Sequence, residues 1–242
     1  MTVQPRGESF MTDMPFGSPD TGETSAARFL GEGHVAPVGR PGLYRNHGKR
    51  ALDILLVILS APVAVPVVLF MAALVALDGG KPFYSQVRLG RAGRKFRMWK
   101  LRTMEVDADA ALERHLARDP DLRAEWDAHQ KLRDDPRITS VGELLRKSSI
   151  DELPQLINVL TGDMSLVGPR PMMPSQRDLY PGRAYYNLRP GLTGLWQVTA
   201  RNDSVFTYRA ACDARYDRRL SLLLDLKVIL FTVVVVLRGT GR

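Results

Sequence analysis

A chain of 242 residues, 45% of them apolar, supports one catalytic-sized domain with appendages and is too short for several. Its net charge of +8 calls for an anionic partner, whether nucleic acid, acidic lipid or a phosphorylated substrate. A single cysteine, Cys212, excludes an internal disulfide, and with four histidines it leaves the usual zinc ligand sets out of reach.

Residues 1–48 are rich in Gly, Pro, Ser, Thr and charge without a sustained period, which predicts a loosely ordered tail. No apolar core precedes a cleavage-like site there, so the tail does not read as a signal peptide. An uncharged apolar run then extends from Ile54 to Leu77. As a continuous helix it would reach about 36 Å, enough to cross a hydrocarbon core of about 30 Å. Two features oppose a straight span. Pro62 and Pro66 fall near its middle, where each removes a backbone donor. Cations also flank both ends: Arg45, Lys49 and Arg50 before it, then Lys81, Arg88, Arg91, Arg94 and Lys95 after it. The positive-inside rule keeps both flanks in the cytoplasm. A re-entrant helical hairpin over 49–80, broken at Pro66 and about one leaflet deep, reconciles these facts; a straight span and a buried helix are the alternatives.

Residues 83–104 predict a strand, a Gly-containing turn, a second strand and a helix start, and Lys95–Arg102 alternates as a half-buried strand does. Residues 105–132 read as a solvated helical pair broken at Pro120. A short helix over Val141–Lys147 follows, then one from about Asp151 to Leu160, ended by Thr161-Gly162. Loops rich in Pro and Gly occupy 161–174 and 189–194. The apolar stretch 221–237 carries Asp225 and Lys227, is short for a span, and predicts a helix lying in the membrane interface or packed on the hairpin. The domains are therefore a tail (1–48), a membrane hairpin (49–80), a cytoplasmic domain (81–220) and an interfacial helix with its tail (221–242).

The chemistry concentrates in Arg146-Lys147-Ser148-Ser149-Ile150-Asp151-Glu152-Leu153-Pro154. Ser149 and Glu152 fit a capping box, and acids favour the first turn of any helix, so a purely structural reading stands. Pro154, tolerated only in a first turn, places the helix start near Ile150 or Asp151. The same geometry suits phosphoryl transfer: an ionised carboxylate as nucleophile, a second to hold Mg²⁺, and Arg146 and Lys147 to clamp phosphate. Two further segments, Gly162–Pro171 with its rigid Pro169-Arg170-Pro171 turn and Arg189–Val198 followed by Arg201-Asn202-Asp203, are either ordinary loops or phosphate-facing ones. No Rossmann or Walker signature occurs.

Lys49-Arg50-Ala51-Leu52-Asp53, Lys100–Met104, Asp151–Leu156, Val167–Pro171, Arg189–Gly194 and Leu224-Asp225-Leu226-Lys227 occur together in one order. In them the chain closely resembles the bacterial sugar transferase family, the monotopic polyprenyl-phosphate phosphoglycosyl transferases that start exopolysaccharide, capsule and glycan assembly. The likeness runs from Lys49 to about Leu237. It is nearest the small exopolysaccharide-initiating members that move galactose-1-phosphate from UDP-galactose to undecaprenyl phosphate.

The resemblance implies a mostly α protein with a small β element, a re-entrant proline-broken membrane helix, a cytoplasmic catalytic domain and interfacial helices. It implies that Asp151 is the nucleophile, forming a phosphosugar-aspartyl intermediate and expelling UMP, and that Glu152 holds Mg²⁺. Arg146, Arg170, Lys100 and Arg189 would bind phosphate, while Asp225 and Pro171 would shape the site. Pro66, with Pro62, marks the helix break, although Val65 stands where family members often carry Ser. The implied partners are a UDP-sugar, undecaprenyl phosphate and inner-membrane lipid rather than nucleic acid, with both termini cytoplasmic; the interfacial helix and the polar helices also offer surfaces for a homodimer. UDP-glucose and UDP-N-acetylhexosamines remain alternative donors, and a non-catalytic membrane-anchored scaffold is the rival of another class.

Overall fold

The computed structural model describes residues 42–129, 132–199 and 206–237. Most of the expected N-terminal tail, the Arg201-Asn202-Asp203 segment and the last five residues lie outside these ranges. A π-type turn, Tyr44–Gly48, leads into α1, Lys49–Leu77. Together they make a 34-residue helical segment long and apolar enough to cross a membrane.

The helix α1 passes through Pro62 and Pro66 without a gap, contrary to the expected division at Pro66 into two helices. The two prolines are four residues apart, so the backbone carbonyls of Ile58 and Pro62, on one side of the helix, lose their donors. The surrounding i→i−4 bonds carry the helix past the defect, which is how prolines bend rather than end a helix.

Both ends of α1 are fastened to the rest of the chain. At the start, Arg45 pairs with Asp217 at 2.7 Å, Lys49 with Asp225 at 2.8 Å, and Asp53 accepts from Ser165 Oγ and Leu166 N at 3.0 Å each. At the far end Ala72 and Val75 pack with Leu101 and Leu145. Arg102 donates there to the carbonyls of Val75, at 2.9 Å, and Gly79. Between the ends, Leu55, Ile58, Leu59, Val63, Val65, Leu69 and Phe70 are bare.

An antiparallel hairpin follows, β1 (Phe83–Leu89) with β2 (Lys95–Leu101), in a register that pairs Tyr84 with Lys100 and Arg88 with Phe96. Its alternation puts Arg88, Met98 and Lys100 on one face. The polar pair is α2 (Ala108–Arg118) and α3 (Pro120–His129), as the proline predicted. The helix α4 (Ser140–Ser148) is capped by Thr139, whose Oγ1 accepts from Gly142 N at 3.0 Å. A tight turn, Ile150–Glu152, then precedes α5 (Gln155–Thr161).

The two Gly/Pro-rich segments hide a parallel strand pair missed in the sequence, β3 (Ser165–Val167) with β4 (Gly191–Thr193). Glycines make it possible. A Cβ on Gly168 would lie 2.4 Å from the Arg189 carbonyl, and one on Gly194 would lie 2.0 Å from the Gly168 carbonyl. Three-residue strands leave no period to detect. Short helices α6 (Ala184–Asn187) and α7 (Leu195–Thr199) flank β4, and α8 (Phe206–Arg219) and α9 (Leu222–Leu237) close the fold. Val228 of α9 packs with Val167, Leu195 and Tyr216, while Leu222, Leu223, Leu226 and Leu230 stay exposed. The whole is mostly helical with small sheets and one long apolar helix.

Candidate active site

The residue Ser149 ends α4 in the left-handed conformation, φ +57°, uncommon for a residue with a side chain. It turns the chain sharply into Ile150–Glu152, placing Asp151 on a 3₁₀ turn and not at the head of a longer helix. The expected capping box does not form: Ser149 makes no side-chain cap, and Pro154 sits at the N-cap of α5. Asp151 is 8% exposed, and burial pushes its carboxyl above the ordinary range, with the Glu152 charge adding to that push. Lys100 and Arg146 pull the other way.

Lys100, from the pocket-facing side of β2, holds the acid pair together. Its Nζ lies 3.1 Å from Asp151 Oδ2 and 2.8 Å from Glu152 Oε1. Burial works against its charge, but the two carboxylates outweigh burial and raise its pKa. Burial likewise pushes Glu152 up, yet Lys100, Arg170 and Arg88 together hold it below the usual carboxylate range. The pair is therefore differentiated, one acid raised and its neighbour lowered, as a division of roles requires.

The segment around Lys100 does three jobs. Lys100 meets the acids, Arg102 caps α1, and Thr103 Oγ1 accepts from Arg146 Nε at 2.9 Å, aiming Arg146 toward Asp151. Lys147, by contrast, turns outward to an exposed pairing with Glu143 at 2.6 Å.

A cavity of about 220 Å³ opens beside Glu152 and Lys100, lined also by Arg88, Gln155, Arg170 and Pro171, with Arg209 at its wall. Arg170 and Pro171 thus stand where the sequence put them. Two expected site residues do not. Arg189 donates to the Gly162 carbonyl at 2.9 Å, at the C-terminal end of α5, where Arg50 also donates to Leu160 O at 2.7 Å. A cation there complements the helix dipole, so Arg189 serves here as a cap, outside the lining of the cavity. Asp225, 1% exposed, accepts from Tyr44, Lys49 and Tyr216, away from the cavity; it locks α1 to α9. Sequence reasoning missed Arg88 and Arg209. For Arg88 a signal existed, since strand alternation places it on the same face as Lys100; Arg209 had none.

Among the described residues no three of His, Cys, Asp and Glu gather. Two adjacent carboxylates fit magnesium all the same, because it takes one or two carboxylates, keeps several waters and shares substrate phosphate.

The family model described as bacterial sugar transferase matches residues 44–239. A UDP-galactose-lipid carrier transferase of Erwinia amylovora is 43% identical over 195 residues, covering 80% of this chain and 41% of that protein. The exopolysaccharide production protein ExoY of Sinorhizobium fredii is 42% identical over 212 residues, covering 86% of this chain and 91% of ExoY. A UDP-glucose:undecaprenyl-phosphate glucose-1-phosphate transferase of Caulobacter vibrioides is 41% identical over 196 residues, 76% of this chain and 68% of that one. The chain thus spans about two-fifths of the Erwinia protein and nearly all of ExoY. With the acid pair, its lysine and the cationic cavity in place, the chain belongs to the bacterial sugar transferase family, as a phosphoglycosyl transferase.

Proposed function

We propose that this enzyme transfers galactose-1-phosphate from UDP-galactose to undecaprenyl phosphate at the cytoplasmic face of the inner membrane. UMP is released, and the product is the first lipid-linked intermediate of exopolysaccharide assembly. The observation that carries the reading is a differentiated acid pair, Asp151 buried and Glu152 half-buried, gripped by Lys100 at the wall of a cationic cavity. The Erwinia relative's name supports the sugar and the lipid carrier, and ExoY's name supports the pathway. UDP-glucose is the second donor to consider, on the Caulobacter relative's name.

In the first half-reaction an Asp151 oxygen attacks the sugar-bearing phosphorus. The bond to the bridging oxygen breaks, and its electron pair leaves with UMP. A phosphate oxygen of the lipid then attacks the same phosphorus and frees the Asp151 carboxylate. Little covalent help is needed from the protein; positioning and charge neutralisation dominate phosphoryl transfer. Arg146 and Lys100 neutralise the transferred phosphate, and Lys100 also holds Asp151 toward its ionised form. Glu152, with Asp151 beside it, would hold Mg²⁺, which supplies charge neutralisation on the diphosphate.

Entry and return of α1 through one membrane face is supported by its anchors. Asp53 and Val75 are about 33 Å apart along a straight helix, yet both ends are tied to the same domain. A helix that bends at the Pro62/Pro66 defect with its bare apolar middle in lipid satisfies both ends at once.

The test is a donor panel of UDP-galactose, UDP-glucose and UDP-N-acetylhexosamines with full-length protein, Mg²⁺ and undecaprenyl phosphate, read by UMP release. UMP formation abolished in Asp151→Asn, with a labelled sugar-phosphate adduct on the wild type, is the expected result. Turnover by Asp151→Asn would exclude the covalent route. Cysteines placed at Tyr44 and at Asp78 should both react with a membrane-impermeant thiol reagent from the cytoplasmic side only.

A further inference from the structure

Four cations, Arg88, Lys100, Arg170 and Arg209, line the cavity against one carboxylate, Glu152. Lys100 is engaged by the acid pair. The other three are guanidiniums, delivered by three separate elements: β1, the turn after β3, and α8, the last with Asp213 acting on it from behind. Burial first, and then the charge of Arg170, lowers the pKa of Arg88; burial and Arg170 act on Arg209 in the same direction. Crowding like charges in a half-closed site is unfavourable unless an anion belongs there.

The fold holds these groups in place. Arg209, 6% exposed, donates through Nη2 to the Arg170 carbonyl, so the two arginines move as one unit. Both lie against the Trp196 ring, 6.0 and 5.8 Å from its centroid. Behind Arg209 stands buried Asp213, which accepts from Tyr180 OH at 2.9 Å and attracts Arg209 electrostatically. Arg88 is held on its other side by Gln86, 2.5 Å from its Nη2, while its buried Nε–H meets no acceptor among the described residues. Gln86, Tyr180 and Asp213 therefore aim the guanidiniums, and the cavity is where they converge.

A nucleotide sugar carries two phosphates, and the acid pair with Lys100 and Arg146 accounts for one. The cavity, about 220 Å³, is smaller than the roughly 300–1,000 Å³ that encloses drug-sized ligands, so it takes the diphosphate and leaves uridine and sugar at its mouth. We propose that Arg88, Arg170 and Arg209 form a leaving-group subsite for the nucleotide's own phosphate, with Tyr180 and Asp213 positioning Arg209. This rests on the transferase reading above. The charge left on UMP as the bridging P–O bond breaks develops against three fixed donors, which stabilises the transition state without reorganisation.

The test is equilibrium binding of UMP, by calorimetry, to full-length protein carrying Asp151→Asn, which needs no turnover. Adding Arg88→Gln should weaken UMP binding about 10–100-fold, the worth of a charge-assisted hydrogen bond, and Arg88→Lys should restore part of it. Tyr180→Phe should weaken UMP severalfold. In otherwise wild-type protein, Arg88→Gln should raise the UMP inhibition constant and leave kcat/KM for undecaprenyl phosphate, which reports the second half-reaction alone, unchanged. UMP affinity within twofold of the parent in Arg88→Gln, or an effect confined to kcat/KM for the lipid, would overturn the subsite. Absence of UMP binding by the parent up to millimolar concentration would overturn it too. Failure of the transferase reading would show separately, as no sugar-phosphate transfer by wild-type protein.

Discussion

Replacing Lys100 by Met keeps the apolar stem and removes the charge 3.1 Å from Asp151 and 2.8 Å from Glu152. At an effective dielectric near 20, each contact at about 3 Å is worth about 5–6 kcal/mol of attraction before desolvation. Stripping one partner from a buried pair costs about 3–5 kcal/mol net. The neighbouring acids respond by holding their protons. Asp151, already raised by burial, loses its largest downward pull. On the proposed covalent route attack needs the carboxylate, so activity should disappear as pH falls through the folded-state pKa of Asp151, and raising that pKa should move the loss to higher pH. An opposite charge at this range is worth about 1–3 pH units, so the acid limb should climb by that much. At a pH on the limb the rate falls about 10–1,000-fold, and Lys100→Arg should recover most of the shift. Initial rates of UMP release from pH 5.5 to 9 measure it. A Lys100→Met profile lowered uniformly, with its acid limb where the wild type has it, would refute the reasoning and leave Lys100 as a substrate contact alone.

Asp213→Asn addresses the buried acid behind Arg209. Burial raises Asp213 from 3.8 to about 7, against the pull of Arg209 and Tyr180. The unfolded chain therefore binds fewer protons than the folded one between about pH 4 and 7, and stability falls as pH rises through that window. The variant should flatten this slope, by about 4 kcal/mol across it, in detergent unfolding curves at several pH values; parallel wild-type and variant slopes would count against it. Gly168→Ala drives a methyl into the Arg189 carbonyl, and should cost about 1–3 kcal/mol or more, seen as a lowered thermal midpoint with matching loss of activity. Arg189→Ala should lower stability by about 1 kcal/mol, the worth of a dipole-complementing cap, yet leave UMP affinity within twofold. A tenfold loss of UMP affinity there would return Arg189 to the phosphate site.

Much of this was legible in the sequence because it lies in local chemistry. The apolar run, the hairpin alternation, the proline between α2 and α3, and the Asp151-Glu152 pair each carry a signal within a dozen residues. What failed is long-range. Arg189 and Asp225 stand in segments resembling the site, but their partners, Gly162 at the end of α5 and Lys49 at the start of α1, come from other parts of the chain. The β3–β4 pair was invisible because three-residue strands rest on glycine contacts, not on alternation. The left-handed Ser149 and the 3₁₀ turn Ile150–Glu152 reset where the acid pair sits, and neither has a compositional mark.

The lock between Lys49 and Asp225 joins positions 176 residues apart. A ribosome adding about 5–20 residues per second completes that interval in roughly 9–35 s. The apolar helix is thus made well before its counterpart, and its fastening to α9 is a late step of folding that waits on the synthesis of Asp225.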